Sequence, residues 1–132
     1  MGSASNNIMG RVLVVVSDRA EAERLVQALG RRGMHPIVTS HPEEALESCK
    51  ESPPDLVIVD DSLPSMSGAR FLAELLRVSW AVSSILVCGE DEEAVHEKTE
   101  GLGILGSIKD YGDEDGLSRL LERYRSIRQA TA

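Results

Sequence analysis

The sequence predicts an α/β domain in which a parallel sheet carries helices on both faces. Three observations carry this. Short β-branched runs such as Val12-Leu13-Val14-Val15-Val16, Leu56-Val57-Ile58-Val59 and Ile85-Leu86-Val87-Cys88 are of strand length and show no polar alternation, the pattern of strands buried on both faces. The segments between them place apolar residues at helical spacing. The two kinds of segment alternate five times along the chain, as crossover helices between parallel strands require.

The first strand covers residues 11–16. Ser17 and Asp18 then offer caps for a helix over 19–32, whose Ala22, Leu25, Val26 and Leu29 share a face and which Gly33 ends. Residues 35–39 read as a second strand. Ser40 is placed to cap a second helix, Pro42 suits its first turn, Glu43 and Glu44 suit its positive end, and Ser52-Pro53-Pro54 stops it. The third strand is 56–59, followed by a helix over 69–78 that buries Phe71, Leu72, Leu75 and Leu76. The fourth strand is 85–88. Residues 90–100 hold only Ala94 and Val95 as apolar anchors, so they predict a marginal, solvated helix. A fifth strand over 105–108 precedes a helix over 113–129, amphipathic through Leu117, Leu120, Leu121, Tyr124 and Ile127.

Composition narrows the function. The 132 residues suffice for one domain, with 42% hydrophobic and 27% charged residues. A net charge of −8 speaks against a nucleic-acid footprint. Cys49 and Cys88 form neither a disulfide framework nor a zinc pattern and read as reduced, packed thiols. No apolar run is long enough to span a bilayer, and the N-terminus lacks signal-peptide regions. Residues 1–10 are small and polar and read as a leader ahead of a domain over 11–129.

Residues 55–68 hold the chemistry. Their strand delivers Asp60 and Asp61 to its carboxyl end, Leu63-Pro64 turns the chain, and Gly68 leads into a helix. Open α/β sheets bind ligands outside the carboxyl ends of their strands. Asp61 reads as a loop-ordering or solvated acid. Asp18 reads equally as a cap or as a site acid. Residues 101–106 fit G-x-G-x-x-G, but they end a helix and enter a strand, which is the wrong context for a dinucleotide. His35, His41 and His96 are scattered surface or loop residues, and Trp80 reads as a packing residue.

With these residues the chain resembles the receiver domains of two-component response regulators. The likeness covers 11–129 and is sharpest where Asp60 is followed by Leu63-Pro64 and by Gly68 eight residues on. Lys109, closing the fifth strand, matches the family's lysine. The resemblance implies a single flavodoxin-like (βα)5 doubly wound domain with strand order 2-1-3-4-5 and five flanking helices. It implies that Asp60 is the phosphoacceptor, served by a histidine kinase or phosphotransfer protein, and that Lys109 binds the phosphoryl group. A weakly bound Mg²⁺ would be held by Asp18, Asp60 and the backbone carbonyl of Ser62. Output would pass through the face of helix 4, strand 5 and helix 5, to an output domain or a second copy. The protein would be cytoplasmic and not an enzyme beyond its own phosphorylation, with no nucleic-acid or membrane contact.

This chain departs from the family at several positions. Val16 and Ser17 stand where the family has its acidic pair, which leaves Asp18 one position late and weakens the Mg²⁺ site. Gly89 replaces the switch Thr or Ser, and Gly106 replaces the aromatic that swings inward. Asp110 replaces the Pro after the lysine. A non-proline cis bond costs roughly 2.5–4 kcal/mol, so a trans bond and a reshaped loop are expected, with Asp110 competing for Lys109. These losses leave an alternative, a degenerate pseudo-receiver that docks or dimerises without phosphorylation. An aspartate-nucleophile hydrolase is disfavoured because Asp60-Asp61-Ser62 lacks an acid two positions after the nucleophile. A flavin site is disfavoured by 3% aromatic content.

Overall fold

The computed structural model describes residues 10–131; the leader expected over 1–10 therefore lies outside the described residues, apart from Gly10. The elements are β1 (Val12–Val15), α1 (Glu23–Arg31), β2 (Ile37–Thr39), α2 (Pro42–Glu51), β3 (Leu56–Asp60), α3 (Gly68–Val78), β4 (Ser83–Val87), α4 (Glu92–Lys98), β5 (Gly106–Ile108) and α5 (Glu114–Thr131). The five strands form one parallel sheet in the order β2-β1-β3-β4-β5, the order that the resemblance implies.

Period-two alternation divides the core between the two faces of the sheet. Val12, Val14, Leu56, Ile58, Ile85 and Ile108 pack with α1 and α5 through Leu25, Leu29, Leu117, Leu121 and Tyr124. Val15, Val57, Val59 and Leu86 pack with α2, α3 and α4 through Ala45, Cys49, Phe71, Leu75 and Val95. Because both faces are covered, β3 is apolar at four successive positions before it reaches Asp60.

Several local expectations need correction. α1 starts at Glu23, not near Arg19, and its N-cap Ala22 offers no side-chain acceptor. Asp18 instead accepts the backbone N–H of Ala20 at 2.9 Å, an Asx turn that holds the chain out of the helix. Ser40 does not cap α2. His41 is the N-cap without a side-chain bond, and Thr39 Oγ1 accepts the N–H of His41. Pro42 does open that helix. Trp80 is 84% exposed rather than packed, and Leu76 and Ile127 are also exposed. The helical faces of α3 and α5 are narrower than the sequence periodicity suggests, because one sheet face covers only the central stripe of each. Gly33 closes α1 as expected, at φ +78, with Met34 N–H on the Leu29 carbonyl.

The turn after β3 depends on close approach. Ser67 caps α3 by accepting the N–H of Arg70 at 3.0 Å. Gly68 N–H reaches the Asp61 carbonyl at 3.1 Å. A Cβ at Gly68 would lie 2.6 Å from the Asp60 carbonyl oxygen and 2.8 Å from the Asp61 Cα, so only glycine lets the helix start against this turn. Urea denaturation should therefore show Gly68→Ala losing about 1–3 kcal/mol. Gly30→Ala, in a helix with open space around the position, should gain about 0.5–1 kcal/mol.

Candidate functional site

The carboxyl ends of β3, β4 and β5 and the β1–α1 loop open onto a cleft of about 480 Å³, beside the point where the strand order reverses between β1 and β3. Asp60, Asp61, Ser62, Gly89, Lys109, Asp110 and Tyr111 line it, together with Glu21 from the β1–α1 loop. Asp60 ends β3 opposite Val87 in the register. Both of its carboxylate oxygens are engaged. Oδ1 accepts the Ser62 N–H at 2.8 Å, and Oδ2 accepts the hydroxyl of Tyr111.

Tyr111 reaches the cleft from the β5–α5 loop, with its ring partly buried against the α1–α5 side of the core. Burial pushes its phenol well above the ordinary value. The hydrogen bond to Asp60 and the nearby charges of Asp60, Glu21 and Asp18 push the same way.

Asp61 has a different part. Its Oδ1 accepts the N–H of Ala69 at 3.2 Å, in the first turn of α3. Its Oδ2 pairs with Lys98 of α4 at 2.7 Å, and the Cys88 thiol lies 3.9 Å from the same oxygen. Lys98 also pairs with Glu90 at 2.7 Å. These bonds, to Asp61 first and to Glu90 second, raise the Lys98 ammonium far above its usual value. The loop-ordering reading of Asp61 agrees with these contacts. Asp61, Cys88 and Glu90 bring their ligand atoms within 4.8 Å of one another, but the Lys98 ammonium already supplies the positive charge there.

Lys109 lines the cleft and forms no ion pair among the described residues. Its backbone N–H is held by Asp113 Oδ2 at 2.9 Å. The bond to Asp110 is trans, as expected. Asp110 does not compete for Lys109, because its carboxylate accepts the N–H of Gly112 at 2.8 Å. Asp113 also accepts the N–H of Gly116 at 3.0 Å, and these two N–H donors, Lys109 first, hold its carboxyl below the usual range.

The structure thus brings Asp60, Ser62, Gly89 and Lys109 to one cleft. Gly106 does not line it, and neither does Asp18, although the Asp18 charge is near enough to act on Tyr111. Asp18 is exposed and turned onto its own loop, and Glu21 is the acid of that loop that lines the cleft. Gly106 lies instead at a hollow of about 670 Å³ between α4, β5 and α5, where a Cβ would come within 2.6 Å of Leu120. Sequence reasoning missed Glu21, Lys98 and Tyr111. The available signals were weak: a lone lysine in an acidic run, and a tyrosine two residues after Lys109.

Mg²⁺ takes hard oxygen ligands and keeps several waters. Asp60 and Glu21 supply such oxygens on one cleft, so the donor set fits it. Asp60 is already engaged by two hydrogen-bond donors.

A doubly wound sheet that presents an acid and a lysine at its switch point defines the receiver class of α/β proteins. The chain belongs to the response regulator receiver domain family, whose description matches residues 12–121. Similar curated proteins include protein-glutamate methylesterase/protein-glutamine glutaminase 1 of Anaeromyxobacter dehalogenans, 29% identical over 132 residues, which covers 91% of this chain and 36% of that protein. The phosphate regulon transcriptional regulatory protein PhoB of Escherichia coli is 32% identical over 92 residues, covering 66% of this chain and 40% of that protein. The chain thus spans roughly a third to two fifths of the length of these relatives. A CheY-like receiver domain protein from Methanospirillum hungatei shares the fold, with a TM-score of 0.78, 17% identity and coverage of 92% of this chain and 98% of that one. The receiver domain of a modulated diguanylate cyclase from Desulfovibrio desulfuricans has a TM-score of 0.77 and 21% identity, covering 93% and 98%.

The chain is therefore a receiver domain of two-component response regulators, and its role is in phosphorelay signalling. The family match favours this over the docking-module alternative. Receiver domains are in general not enzymes, typically bind Mg²⁺ at the phosphorylation site, and interact with histidine kinases and output domains. Among the described residues no helix is long and apolar enough to cross a membrane.

Two stability predictions follow from these contacts. Lys98→Met leaves Asp61, 13% exposed, without its cation, and should cost about 1–3 kcal/mol in urea denaturation. In a double-mutant cycle Asp61→Asn should recover part of that loss. Because the folded ammonium titrates higher than the unfolded one, wild type should keep this contribution below about pH 10 and lose it as pH rises further. Asp113→Ala should cost about 0.5–2 kcal/mol. Its folded carboxyl titrates lower than the unfolded one. The contribution is therefore present above the unfolded value and disappears as acid passes the folded one, so wild type and variant should converge at low pH.

Proposed function

We propose that Asp60 accepts a phosphoryl group from the phosphohistidine of a histidine kinase or phosphotransfer protein. The observation that carries this is the meeting of Asp60 and Lys109 on one cleft at the switch point of the sheet. A carboxylate oxygen of Asp60 forms the new bond to phosphorus while the P–N bond to the donor imidazole breaks. The imidazole nitrogen leaves with that electron pair and takes up a proton. Positioning and charge neutralisation carry such a transfer, since a carboxylate is a weak nucleophile. Lys109 has no competing carboxylate and is free to pair with the phosphoryl oxygens. Mg²⁺ bound by Asp60, Glu21 and the Ser62 backbone would neutralise charge on the transferring group.

The output surface is the face of α4, β5 and α5, through which an output domain or a second copy of the chain reads the state of the cleft. A hollow of about 670 Å³ already lies on that face. The working compartment is the cytoplasm, where receivers meet their kinases.

Intact-mass measurement with phosphoramidate and a Mg²⁺ titration tests the reading. Wild type should gain one phosphoryl group at millimolar Mg²⁺, Asp60→Asn should gain none, and Lys109→Ala should gain it at least about tenfold more slowly. Absence of an Asp60-dependent adduct at the highest Mg²⁺ overturns the assignment of Asp60.

A further inference from the structure

The Tyr111 side chain is the one group on the cleft whose contact with Asp60 neither the family spacing nor the reaction chemistry calls for. It is a neutral donor placed directly on the oxygen that would have to react. The two donors on Asp60 differ in kind. The Ser62 N–H is backbone and cannot leave Oδ1 without unfolding the turn, whereas the Tyr111 hydroxyl sits on a side chain that can turn away from Oδ2. Oδ2 is thus the oxygen that can be released to attack phosphorus. A donated hydrogen bond lowers the energy of the resting carboxylate and occupies the lone pair that would form the new bond.

After transfer the situation reverses. The phosphoryl oxygens need donors, and position 89, where a hydroxyl could reach into the cleft, is glycine although space is open: a Cβ there meets only the Lys109 carbonyl, at 3.6 Å. Among the described residues, Tyr111 is the one whose side-chain hydroxyl bonds the reacting carboxylate. Its ring packs only partly against the core, so rotation about the Cα–Cβ bond carries ring and hydroxyl together away from Oδ2, whereas rotation about the ring axis leaves the oxygen in place.

Resting on the reading of Asp60 as acceptor, we propose that Tyr111 is a gate on the acceptor carboxylate. Its hydroxyl restrains Asp60 Oδ2 in the unmodified protein, yields it for attack, and then donates to the phosphoryl group, supplying the hydroxyl that position 89 lacks. No proton changes hands in this step. The phenol keeps its hydrogen and exchanges one anionic acceptor for another.

The 132-residue chain with Tyr111→Phe removes only the hydroxyl and leaves the packed ring. With phosphoramidate at saturating Mg²⁺, this variant should acquire its phosphoryl group about tenfold faster than wild type. After donor removal it should lose the group several-fold faster. Tyr111→Phe combined with Gly89→Thr should regain the slow loss but not the slow acquisition. The resting contact is read separately, without any phosphodonor, by a double-mutant cycle in urea: the effects of Asp60→Asn and Tyr111→Phe on stability should be non-additive, and strict additivity overturns the resting restraint. Rates within twofold of wild type in both directions overturn the gate while leaving the acceptor assignment standing, and slower acquisition by Tyr111→Phe overturns it as well. Loss of labelling in wild type and Tyr111→Phe alike is the distinct failure of the acceptor reading, and the gate falls with it.

Discussion

One carboxylate holds the functional edge of this domain together. Asp61 receives the N–H of Ala69 at the start of α3 and the ammonium of Lys98 at the end of α4, and its own backbone N–H donates to the Val87 carbonyl of β4 at 3.0 Å. A charge this enclosed is tolerated only because it is paired and hydrogen-bonded. The pairing has a geometric consequence. With the Asp61 carboxylate committed to α3 and α4 at one side of the cleft, the carboxylate of its neighbour Asp60 meets Ser62 and Tyr111 instead. The loop between β3 and α3 is therefore fixed by one acid so that the other can be presented. Gly68 serves the same end by letting α3 begin in contact with the backbone of that pair.

Two adjacent aspartates thus do opposite work, and their partners explain which does which. Asp61 meets a cation on a packed helix and a backbone amide, neither of which can be exchanged cheaply. Asp60 meets one backbone amide and one phenol, and the phenol is exchangeable. The cleft holds more acid than base: Glu21, Asp60, Asp61, Glu90 and Asp110 line it with Lys109. That excess favours a hard cation and disfavours an incoming phosphoryl group, so the two events belong together electrostatically.

Much of the fold was legible because β3 and its neighbours are buried on both faces, and such strands announce themselves as unbroken apolar runs. The order of the strands came from the likeness carried by Asp60, Leu63, Pro64, Gly68 and Lys109, not from periodicity. The positions of Asp60 and Lys109 at the edge were legible for the same reason, since each ends a strand. Side-chain direction in loops was not. Asp18 and Glu21 are both exposed acids after β1; Asp18 Oδ1 closes an Asx turn on Ala20, whereas Glu21 lines the cleft. Lys98 looked like part of a solvated run because its partners, Asp61 and Glu90, are 37 and 8 residues away. Trp80 looked like core by composition, but the connection between α3 and β4 offers no layer to cover it. Caps failed for a related reason: Ser17, Asp18 and Ser40 are good caps by residue type, yet α1 begins only at Glu23 and α2 takes His41 as its N-cap, while Asp18 closes an Asx turn and Thr39 holds the N–H of His41.

How far a phosphoryl group could move this domain follows from which donors it has. A hydrogen bond to a charged group contributes about 1.5–3 kcal/mol. Taking a two-state equilibrium from 1:99 to 99:1 requires about 5.5 kcal/mol of differential interaction. With glycine at 89, β4 adds no hydroxyl to that of Tyr111. With glycine at 106 and Leu120 leaning over it, no ring on β5 can change places. The links that remain from the edge to the output face are Tyr111, through its loop to α5, and Lys98, through Asp61 to α4. Each can bias its element by one interaction. The physical expectation is a partial shift in population rather than a full one, with the rest of the required energy coming from whatever partner binds the face of α4, β5 and α5 in its favoured arrangement.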